Sequence, residues 1–434
     1  MLGILTLITG LLIAYNFLWF ILNMYNLSLL SVKKKPSRLN PRGGFKLLRK
    51  RTKLLPKISV LLPAYKEGKI IEKSVDALYH SNYPKNKFEV LILLERDDPE
   101  TIKVAKELSK KYRNVRFAIV KSKLYKTKPN ALNYGLPLTN GDIIGVIDAE
   151  DIVEKNLLLK VAYAIWFKGY HAVQGVLDMA NDADGWKNLM QRAEYAFWFR
   201  RVLPGLEYLG LPIPFGGSTN FFRKDFLISI GGWKPANLTE DFELGIRIYH
   251  HRQRVLKDDG KVKVMHSITL EESPTSWDSW LRQRTRWQQG KIQTAREYIS
   301  KIDHSYKSKI YTYMALLQPH VGGITLSGVI ISILALLMKV IIPTPIILII
   351  YFNFVFIFIY GVTHGISYIN IAKSKKKINS IAKLIIISFT MPAYWLWQWI
   401  ADIRALKREY IDKNKSWEKT EHKGRHFAKK KTIE

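Results

Sequence analysis

The sequence contains no cysteine in its 434 residues. That absence excludes a disulfide framework, a thiolate metal site and a cysteine nucleophile. It is typical of a cytoplasmic or thermophilic chain.

Acidic residues are scarce, with 36 Asp and Glu against 68 Lys and Arg, so the formal charge is +32. Such an excess usually indicates a polyanionic partner, which could be nucleic acid, an anionic membrane surface or a phosphorylated ligand. The basic runs at 31–53, 373–377 and 425–431 lie beside or beyond apolar segments. That distribution favours a membrane surface.

Two common nucleotide-binding loops are also missing. The chain has no G-x-x-x-x-G-K-[ST] sequence, and no G-x-G-x-x-G sequence follows its first predicted strand. Their absence argues against a P-loop enzyme and against a dinucleotide-dependent oxidoreductase. A nucleotide bound by this chain must be held in another way.

Residues 2–30 carry no charged side chain, and a helix of that length can cross a hydrocarbon core of about 30 Å. A cleaved signal peptide fits poorly, because the basic flank follows the apolar run and no small-residue cleavage site is present. The positive-inside rule then predicts an outside N-terminus and a cytoplasmic chain from residue 31 onward.

A second apolar block covers 314–371 and is interrupted by "IIPTPII" at 341–347, which predicts two membrane helices joined by a turn. Residues 381–400 are also apolar, but a span there would leave the basic tail outside. We therefore expect a bent, interfacial or re-entrant segment anchored by tryptophans. The three tryptophans are Trp395, Trp397 and Trp399.

The central block alternates short apolar runs with helical patterns. This βαβαβ order predicts an α/β fold with a parallel sheet, whose ligands bind beyond the carboxyl ends of the strands. Strands are predicted at 57–65, 88–95, 115–120 and 142–148, and helices at 69–81, 98–112 and 128–137.

Acidic side chains follow two of these strands. Glu95 ends the second strand with Asp97 close behind, and Asp148, Glu150 and Asp151 follow the fourth. Carboxylates at i and i+2 can turn toward one hard cation such as Mg²⁺ or Mn²⁺. Alternatively, they cap the helices that follow, since Asp is a good N-cap.

Seven motifs in order resemble the family 2 inverting glycosyltransferases, in particular the membrane-embedded branch similar to cellulose and hyaluronan synthases. A tail motif, "WEKTEH" at 417–422, extends the resemblance, which implies a GT-A type fold with a mostly parallel sheet. The seven are "VLLPAYKE" (60–67), "LILLERDDPET" (91–101), "KPNALNYGL" (128–136), "IDAED" (147–151), "FGGSTNFFRKD" (215–225), "NLTEDFELGIR" (237–247) and "QRTRW" (283–287).

The resemblance implies roles on the donor side of a site. Ala64 and Tyr65 would line the nucleobase position, Glu95 or Asp97 would contact the base or ribose, and Lys128 would meet the diphosphate. Asp148 and Glu150 take the D-x-D positions that hold Mg²⁺ or Mn²⁺, with Asp151 as a nearby alternative. Glu95 and Glu150 stand where relatives more often have Asp.

The acidic pair in "NLTEDFEL" would supply the catalytic base. Transfer to an acceptor hydroxyl in one displacement needs a base near that hydroxyl and a cation on the leaving diphosphate. The resemblance assigns the base to Asp241, with Glu240 orienting it or shaping the pocket. Thr239 could equally cap a helix that begins at Glu240, and the two interpretations are compatible.

The acceptor side is implied by two further motifs. Gln283, Arg286 and Trp287 share one helix face, and the resemblance implies that Trp287 stacks on the acceptor sugar while the other two meet the acceptor or diphosphate. An interfacial amphipathic helix would have the same pattern. Gly216 and Gly217 would allow close backbone approach, although a bare turn is equally allowed.

These observations predict a membrane-bound enzyme that moves a sugar from a UDP- or GDP-linked donor to a lipid-linked or polysaccharide acceptor at the cytoplasmic face, with membrane lipids as partners and no nucleic acid. The alternative is a non-catalytic basic membrane scaffold or a nucleic-acid-binding protein. The predicted division is a membrane helix at 1–30, a basic linker at 31–55, the GT-A domain at 56–270, interfacial helices at 271–312, two membrane helices at 313–372, an interfacial, re-entrant or fourth membrane segment at 373–402, and a basic tail at 403–434.

Overall fold

The chain divides into two compact units in a computed structural model. The first unit comprises Met1–Lys34, Ala183–Gly205 and Ser276–Glu418, and the second comprises Lys35–Asp182, Leu206–Thr275 and Lys419–Glu434. The structure describes residues 2–39, 44–50, 52–121, 126–181, 184–251, 261–299, 313–314, 316–317, 320–371 and 377–414. The tail motif at 417–422 and most of the basic run at 373–377 lie outside the described residues.

The second unit is built on an eight-stranded sheet with the strand order β3-β2-β1-β4-β7-β6-β8-β5. Strands β1 to β4 run parallel to one another, while β7 is antiparallel to both of its neighbours. The strands are β1 (Ile58–Ala64), β2 (Phe88–Leu94), β3 (Val115–Ile119), β4 (Ile143–Val146), β5 (Ile152–Val153), β6 (Ala172–Met179), β7 (Asn220–Arg223) and β8 (Val262–Glu271).

The parallel strands have the sequence of a sheet that is covered on both faces. In β1 (ISVLLPA) and β2 (FEVLILL), six of the seven residues are buried in each strand, which is the near-continuous hydrophobic run expected of a buried parallel sheet. The helices between these strands are α3 (Ile70–Tyr79), α4 (Pro99–Lys111) and α5 (Lys128–Gly135). The predicted βαβαβ order and the α/β fold class are confirmed.

The antiparallel strand β7 determines which loop meets the end of β4. Val146, the last residue of β4, pairs with Asn220, the first residue of β7, and the Thr219 amide donates to the Val146 carbonyl at 2.9 Å. The loop "FGGST" before β7 therefore lies beside "IDAED" after β4. Two motifs about 70 residues apart in sequence meet at the carboxyl edge of the sheet.

Five further helices among the described residues lie wholly or partly in the second unit. They are α2 (Gly44–Lys50), α6 (Leu157–Ala162), α8 (Leu203–Tyr208), α9 (Lys224–Ser229) and α10 (Glu240–His251). A π-helical turn, Tyr163–Phe167, follows α6. Helix α8 contains the boundary between the two units.

The first unit is helical where the structure describes it. Its helices are α1 (Leu2–Ser31), α7 (Trp186–Phe197), α11 (Trp277–Ile299), α12 (Val321–Leu337), α13 (Thr344–Ile369) and α14 (Lys377–Leu406). Within the residues that the structure describes, three segments are long and apolar enough to cross a membrane: Thr9–Ser31, Thr344–Ile369 and Asn379–Ile411. Helix α12 has 17 residues, which rise about 26 Å and fall slightly short of a hydrocarbon core of about 30 Å.

Helix α14 is unbroken from Lys377 to Leu406 and contains Pro392. The segment predicted to be interfacial, re-entrant or a fourth membrane span is thus one continuous helix of 30 residues. It packs against the end of α13, where Gly361 and Gly365 lie against Ser388 and Leu384. It also packs against the beginning of α12, and the contacts there are Trp395 with Gly322, Asp402 with Gly323, Asp402 with His320 and Trp399 with Ser327.

Candidate active site

Three of the predicted site residues converge on Gly217. A Cβ atom built on Gly217 would lie 3.5 Å from Asp241 Oδ2, 3.5 Å from Lys128 Nζ and 3.7 Å from Asp148 Oδ2. These residues come from the beginning of α10, the beginning of α5 and the end of β4. The predicted base, diphosphate ligand and metal ligand thus border one small space above a glycine with no side chain of its own.

Lys128 is the cation of this cluster. Its ammonium group is ion-paired with Asp148 and donates to the Gly217 carbonyl oxygen at 2.7 Å. Burial by itself lowers the pKa of Lys128, but Asp148, Glu240 and Asp241 together raise that pKa above the ordinary lysine value. Lys128 therefore remains charged across the physiological range.

Asp148 titrates above the usual range of an aspartate. Burial raises its pKa, and the carboxylates of Glu150 and Asp241 raise it further against the opposing effect of Lys128. The backbone amide of Asp148 donates a hydrogen bond to the Ser218 hydroxyl oxygen at 3.2 Å. Negative charge is concentrated here in excess of what Lys128 balances, so the site favours an added cation.

Asp151, the predicted alternative metal ligand, is fully buried. Its Oδ2 accepts a hydrogen bond from the Ser218 hydroxyl, while its Oδ1 has no hydrogen-bond partner among the described residues. Burial, followed by Glu271, Asp148 and Glu150, raises the pKa of Asp151 well above the ordinary value. The geometry makes Asp151 a support for the loop at Ser218 as well as an additional oxygen near Glu150.

The donor set suits a hard divalent cation that also binds a diphosphate. No three His, Cys, Asp or Glu side chains within the described ranges lie in metal-binding geometry. Mg²⁺, however, is commonly held by only one or two carboxylates together with substrate phosphates and water. Asp148 and Glu150 are the two carboxylates that the sequence predicts for this task, and Asp151, the predicted alternative, has an oxygen, Oδ1, without a hydrogen-bond partner among the described residues.

The loop containing Gly216 and Gly217 is held by amide side chains. Gln174 accepts from the Gly216 amide at 2.9 Å and donates to the Ser218 carbonyl at 3.0 Å. Asn220 donates to the Gly216 carbonyl at 2.6 Å. These hydrogen bonds fix the loop, whose Gly217 carbonyl accepts from Lys128.

Helix α10 begins at Glu240, as the acidic-pair motif predicts. The Thr239 carbonyl accepts the first helical hydrogen bond, from the Glu243 amide at 3.0 Å. The Phe242 amide donates to Asp241 Oδ1 at 2.8 Å, which leaves Oδ2 on the side of Gly217. Glu240 is buried, so within the pair the carboxylate of Asp241 is the better placed to meet a substrate.

A clamp formed by Asn133 and Arg247 holds α10 against α5, and sequence reasoning missed it. Asn133 in α5 donates to the Trp233 carbonyl at 2.6 Å and accepts from the Trp233 amide at 2.9 Å. Arg247 in α10 donates to the carbonyls of Ile230 and Gly232 and pairs with the buried Glu243. The repeated asparagines of "KPNALN" were the available signal, but their partner lies 100 residues away.

A second cluster lies at the end of β1, where the resemblance implies a nucleobase site. The Tyr65 hydroxyl donates to Asp97 Oδ2 at 3.1 Å, and Lys126 donates to the same oxygen at 2.7 Å. The hydrogen bond from Lys126 holds the pKa of Asp97 below its usual range. Burial raises the pKa of Glu95, which Lys126 partly opposes. Ala64 is buried at the end of β1, and Lys126 is a neighbour that the motifs did not indicate.

The "QRTRW" motif lies in α11 of the first unit. Gln283 is buried, and its Oε1 has no partner within the part of the chain that the structure describes. The first arginine of the motif, Arg284, pairs with Glu194 of α7 at 2.7 Å. Its guanidinium lies 5.2 Å and 4.7 Å from the ring centroids of Trp280 and Trp287. Arg286 is half-buried.

Glu194, for which no role is predicted in the sequence analysis, is the centre of a polar network. The Tyr394 hydroxyl and the Gln398 amide in α14 donate to its two oxygens at 2.9 and 3.1 Å. Burial acts to raise the pKa of Glu194, but Arg284 and the Tyr394 hydroxyl outweigh it, so the pKa lies below the usual glutamate value. The network joins α7, α11 and α14 and fixes Arg284 between the tryptophans.

Comparison with known proteins identifies the family of this chain. Residues 56–290, more than half of the chain, match the family described as "Glycosyltransferase like family 2". The chain is similar to a probable glycosyltransferase, YdaM, of Bacillus subtilis, with 30% identity over 58% of this chain and 59% of that protein. It is also similar to a beta-monoglucosyldiacylglycerol synthase of Trichormus variabilis, with 29% identity over 56% of this chain and 51% of that protein.

A solved structure agrees with the fold. The mannosyltransferase PcManGT from Pyrobaculum calidifontis, determined in complex with GDP-Man and Mn²⁺, matches with a TM-score of 0.58 at 16% identity over 95% of this chain and 99% of that chain. At this identity the likeness concerns the fold alone. The chain spans between half and three fifths of the two curated relatives named above. With the family match over the sheet and its site loops, the chain belongs to glycosyltransferase-like family 2 and has the GT-A fold.

Proposed function

We propose that this chain is a membrane-bound inverting glycosyltransferase, which moves a sugar from a nucleotide-diphospho-sugar to the hydroxyl group of a membrane lipid at the cytoplasmic face. The observation that carries the proposal is the convergence of Lys128, Asp148 and Asp241 around Gly217. This arrangement offers a cation for a diphosphate, a carboxylate ligand for a metal and a carboxylate base within one small volume.

Each residue then has a defined task. The Asp241 carboxylate accepts the proton of the acceptor hydroxyl as the oxygen bonds to the anomeric carbon. The bond from that carbon to the donor diphosphate breaks, and the Lys128 ammonium stabilises the negative charge that the nucleoside diphosphate carries away. Tyr65, Glu95 and Asp97 are proposed to hold the nucleoside. Gln283, Arg286 and Trp287 are proposed to serve the acceptor.

Asp148 and Glu150 are the residues proposed to hold a divalent cation, Mg²⁺ or Mn²⁺, which when bound would neutralise charge on the leaving diphosphate. The PcManGT structure contains Mn²⁺, in keeping with this assignment. The excess of carboxylates around Lys128 also supports it.

A lipid acceptor is favoured by two observations. One relative is named a beta-monoglucosyldiacylglycerol synthase, and three segments of the chain are long and apolar enough to cross a membrane. The Q-x-x-R-W motif is the feature that supports the cellulose-synthase-like branch and processive synthesis, while few membrane helices favour a single transfer.

The proposal is tested by nucleotide release from purified protein in detergent with membrane lipid extract. A panel of UDP- and GDP-linked sugars is offered with Mg²⁺, with Mn²⁺ or with EDTA. We expect one donor to turn over only with metal. The Asp241→Asn variant should lose at least about 100-fold in turnover, the lower range for removing a general base.

Asp225→Asn is a closely matched control. Asp225, like Asp241, lies in the first turn of a short helix, and its Oδ1 also accepts from the amide of the phenylalanine that follows it. This variant should retain wild-type turnover. Full activity in Asp241→Asn would remove the base assignment, and a folded wild-type protein that neither binds nor turns over any donor would refute the enzymatic function.

A further inference from the structure

One edge of the second unit carries exposed aromatic and apolar side chains beside lysines. Trp166 and Phe167 are 48% and 39% exposed, and Tyr208 and Leu209 are 61% and 43% exposed. Lys168 follows the first pair and is also exposed. We call Trp166, Phe167, Lys168, Tyr208 and Leu209 the aromatic edge.

The two halves of the aromatic edge are held together through the start of β8. Glu207, next to Tyr208, pairs with Lys263 and accepts from the Val264 amide at 2.7 Å. Lys263 lies 5.6 Å from the ring centroid of Tyr170. The segment that carries Trp166 and Phe167 is joined to β8 in this way, so both exposed pairs belong to one surface.

Glycines present both pairs at the tips of turns. Gly169 and Gly210 follow them and have φ angles of +71° and +67°, which glycine adopts without the strain of a side chain. No atom lies within 4 Å of a Cβ built on either glycine. The chain therefore reverses its direction sharply after each exposed pair, and the side chains of the pair project outward.

Short stretches of chain connect the unit that carries this edge to a candidate membrane span. Ser37 pairs with β8 through two hydrogen bonds, to the Val264 carbonyl and from the His266 amide, both at 2.9 Å. Ser37 is six residues beyond Ser31, the last residue of the span, so at most about 20 Å of extended chain separates them. Tyr208 ends α8, three residues after Gly205, which lies against the Leu29 carbonyl near the end of the same span.

The charge of the aromatic edge fits an anionic bilayer. Residues 155–177 contain three lysines and no acidic residue, and Lys261 at the start of β8 is exposed. Tryptophan and tyrosine beside lysine are the side chains that concentrate at membrane–water interfaces, where basic residues are attracted to anionic lipid. We propose that the aromatic edge inserts into the headgroup region of an anionic membrane and is a second membrane contact besides the apolar helices.

The proposal requires that α1 crosses the membrane, and it does not depend on catalysis. Because the chain has no cysteine, Phe167→Cys and Leu209→Cys can each carry a single environment-sensitive NBD label. The full-length variants are placed in nanodiscs of phosphatidylcholine with phosphatidylglycerol, with and without headgroup-region nitroxide lipids. Lys106→Cys, on an exposed position of α4, is the control. This control position lies far from the aromatic edge. Helix α4 packs against β3, and six strand spacings, about 29 Å, separate β3 from β8.

We expect nitroxide lipid to quench NBD at positions 167 and 209 at least about three times as strongly as at position 106, with weaker quenching in pure phosphatidylcholine or in 1 M salt. Equal quenching at all three positions in nanodiscs that contain the protein would overturn the proposal, while membrane insertion of the helices would stand. If the protection of the NBD label from solvent depends on protein concentration rather than on lipid composition, the label contacts a second copy of the chain instead. That result would also overturn the proposal. Trp166→Cys repeats the measurement if either variant is not monodisperse.

Discussion

At the scale of single residues, the site depends on how buried charges are balanced. Lys128 retains its proton because three carboxylates outweigh the cost of its burial. Arg284 is held in a comparable way by Glu194, although here the partners are one acid and two aromatic rings. An intact buried pair adds little net stability because both charges lose their hydration, but removal of one member leaves an uncompensated buried charge and strongly destabilises the fold.

The Glu194→Gln variant tests this balance. The pKa of Glu194 is lowered in the folded protein, so its contribution to stability is fully present above the unfolded glutamate pKa and is lost as pH falls through the folded value. We expect Glu194→Gln to reduce the free energy of unfolding by about 1–3 kcal/mol at pH 7 and by less near pH 4. Apparent melting temperatures of the variant and the wild type, recorded across pH, would measure this loss of stability.

Asp278→Asn is the matched control for that variant. Asp278 also pairs with an arginine of α11, Arg282, but its side chain is 68% exposed. A surface pair of this kind contributes little, so the melting temperature should hardly change at any pH. Equal losses in the two variants would contradict a special role for the buried network.

At the scale of elements, the loop of residues 230–233 joins the two helices that carry Lys128 and Asp241. Asn133 fixes the loop to α5, and Arg247 fixes it to α10. Helix α10 also touches the chain that leads into the glycine loop, since a Cβ on Gly245 would come 2.2 Å from the Ile213 carbonyl oxygen. The position of the proposed base therefore depends on helix packing as well as on its own rotamer.

Asn133→Ala should separate positioning from binding. Loss of both hydrogen bonds to Trp233 leaves two backbone groups without their partner and should cost about 1–3 kcal/mol of stability. We expect kcat to fall at least about 10-fold while the donor KM changes less, because α10 is released but Lys128 is not removed. Steady-state kinetics with the preferred donor would measure both constants.

Asn133→Asp retains the acceptor for the Trp233 amide and should recover part of the lost kcat. Asn114→Ala, which removes a 3.3 Å bond to the Phe88 carbonyl, is a control away from the loop and should behave as wild type. A rise in donor KM alone in Asn133→Ala would point to a binding role and would contradict the positioning role.

The local parts of this architecture were predictable, and the distant pairings were not. Strands β1 to β4 follow from apolar runs, and the start of α10 follows from "TED", because both signals lie within a few residues. The antiparallel insertion of β7 beside β4, the pairing of Asn133 with Trp233 and that of Glu194 with Arg284 depend on residues 70 to 100 positions apart. Periodicity carries no information about such contacts.

Site assignments divide in the same way. The acidic motifs gave Asp148, Glu150, Asp241 and, through the resemblance, Lys128. Gln174, Ser218 and Lys126 were missed because each acts through a neighbour's backbone or carboxylate rather than through a motif of its own.

At the scale of the whole molecule, α14 decides on which side of the membrane the basic tail lies. The helix qualifies as a span by length and composition. Within the first unit, however, its contacts described above fall at the end of α13 and the beginning of α12, which meet at the same side if α12 and α13 form a membrane hairpin. We propose that α14 lies along that side and keeps the tail cytoplasmic, as the positive-inside rule favours.

Accessibility of single cysteines tests this topology. Lys413→Cys, just beyond α14, should react with a membrane-impermeant maleimide only in inside-out vesicles. Ile341→Cys, in the short connection between α12 and α13 and 92% exposed, should react only in intact cells. The cysteine-free wild type gives the background for both. Labelling of Lys413→Cys from outside would show that α14 crosses the bilayer.

The pairing of Glu194 with Arg284 also has an evolutionary consequence. The arginine lies inside the Q-x-x-R-W motif at a position that the motif leaves open, while its partner lies 90 residues earlier in another helix. In related sequences the two positions should therefore change together. A chain that has lost the acid should also have lost the arginine, and an apolar pair of similar volume should be a frequent joint replacement.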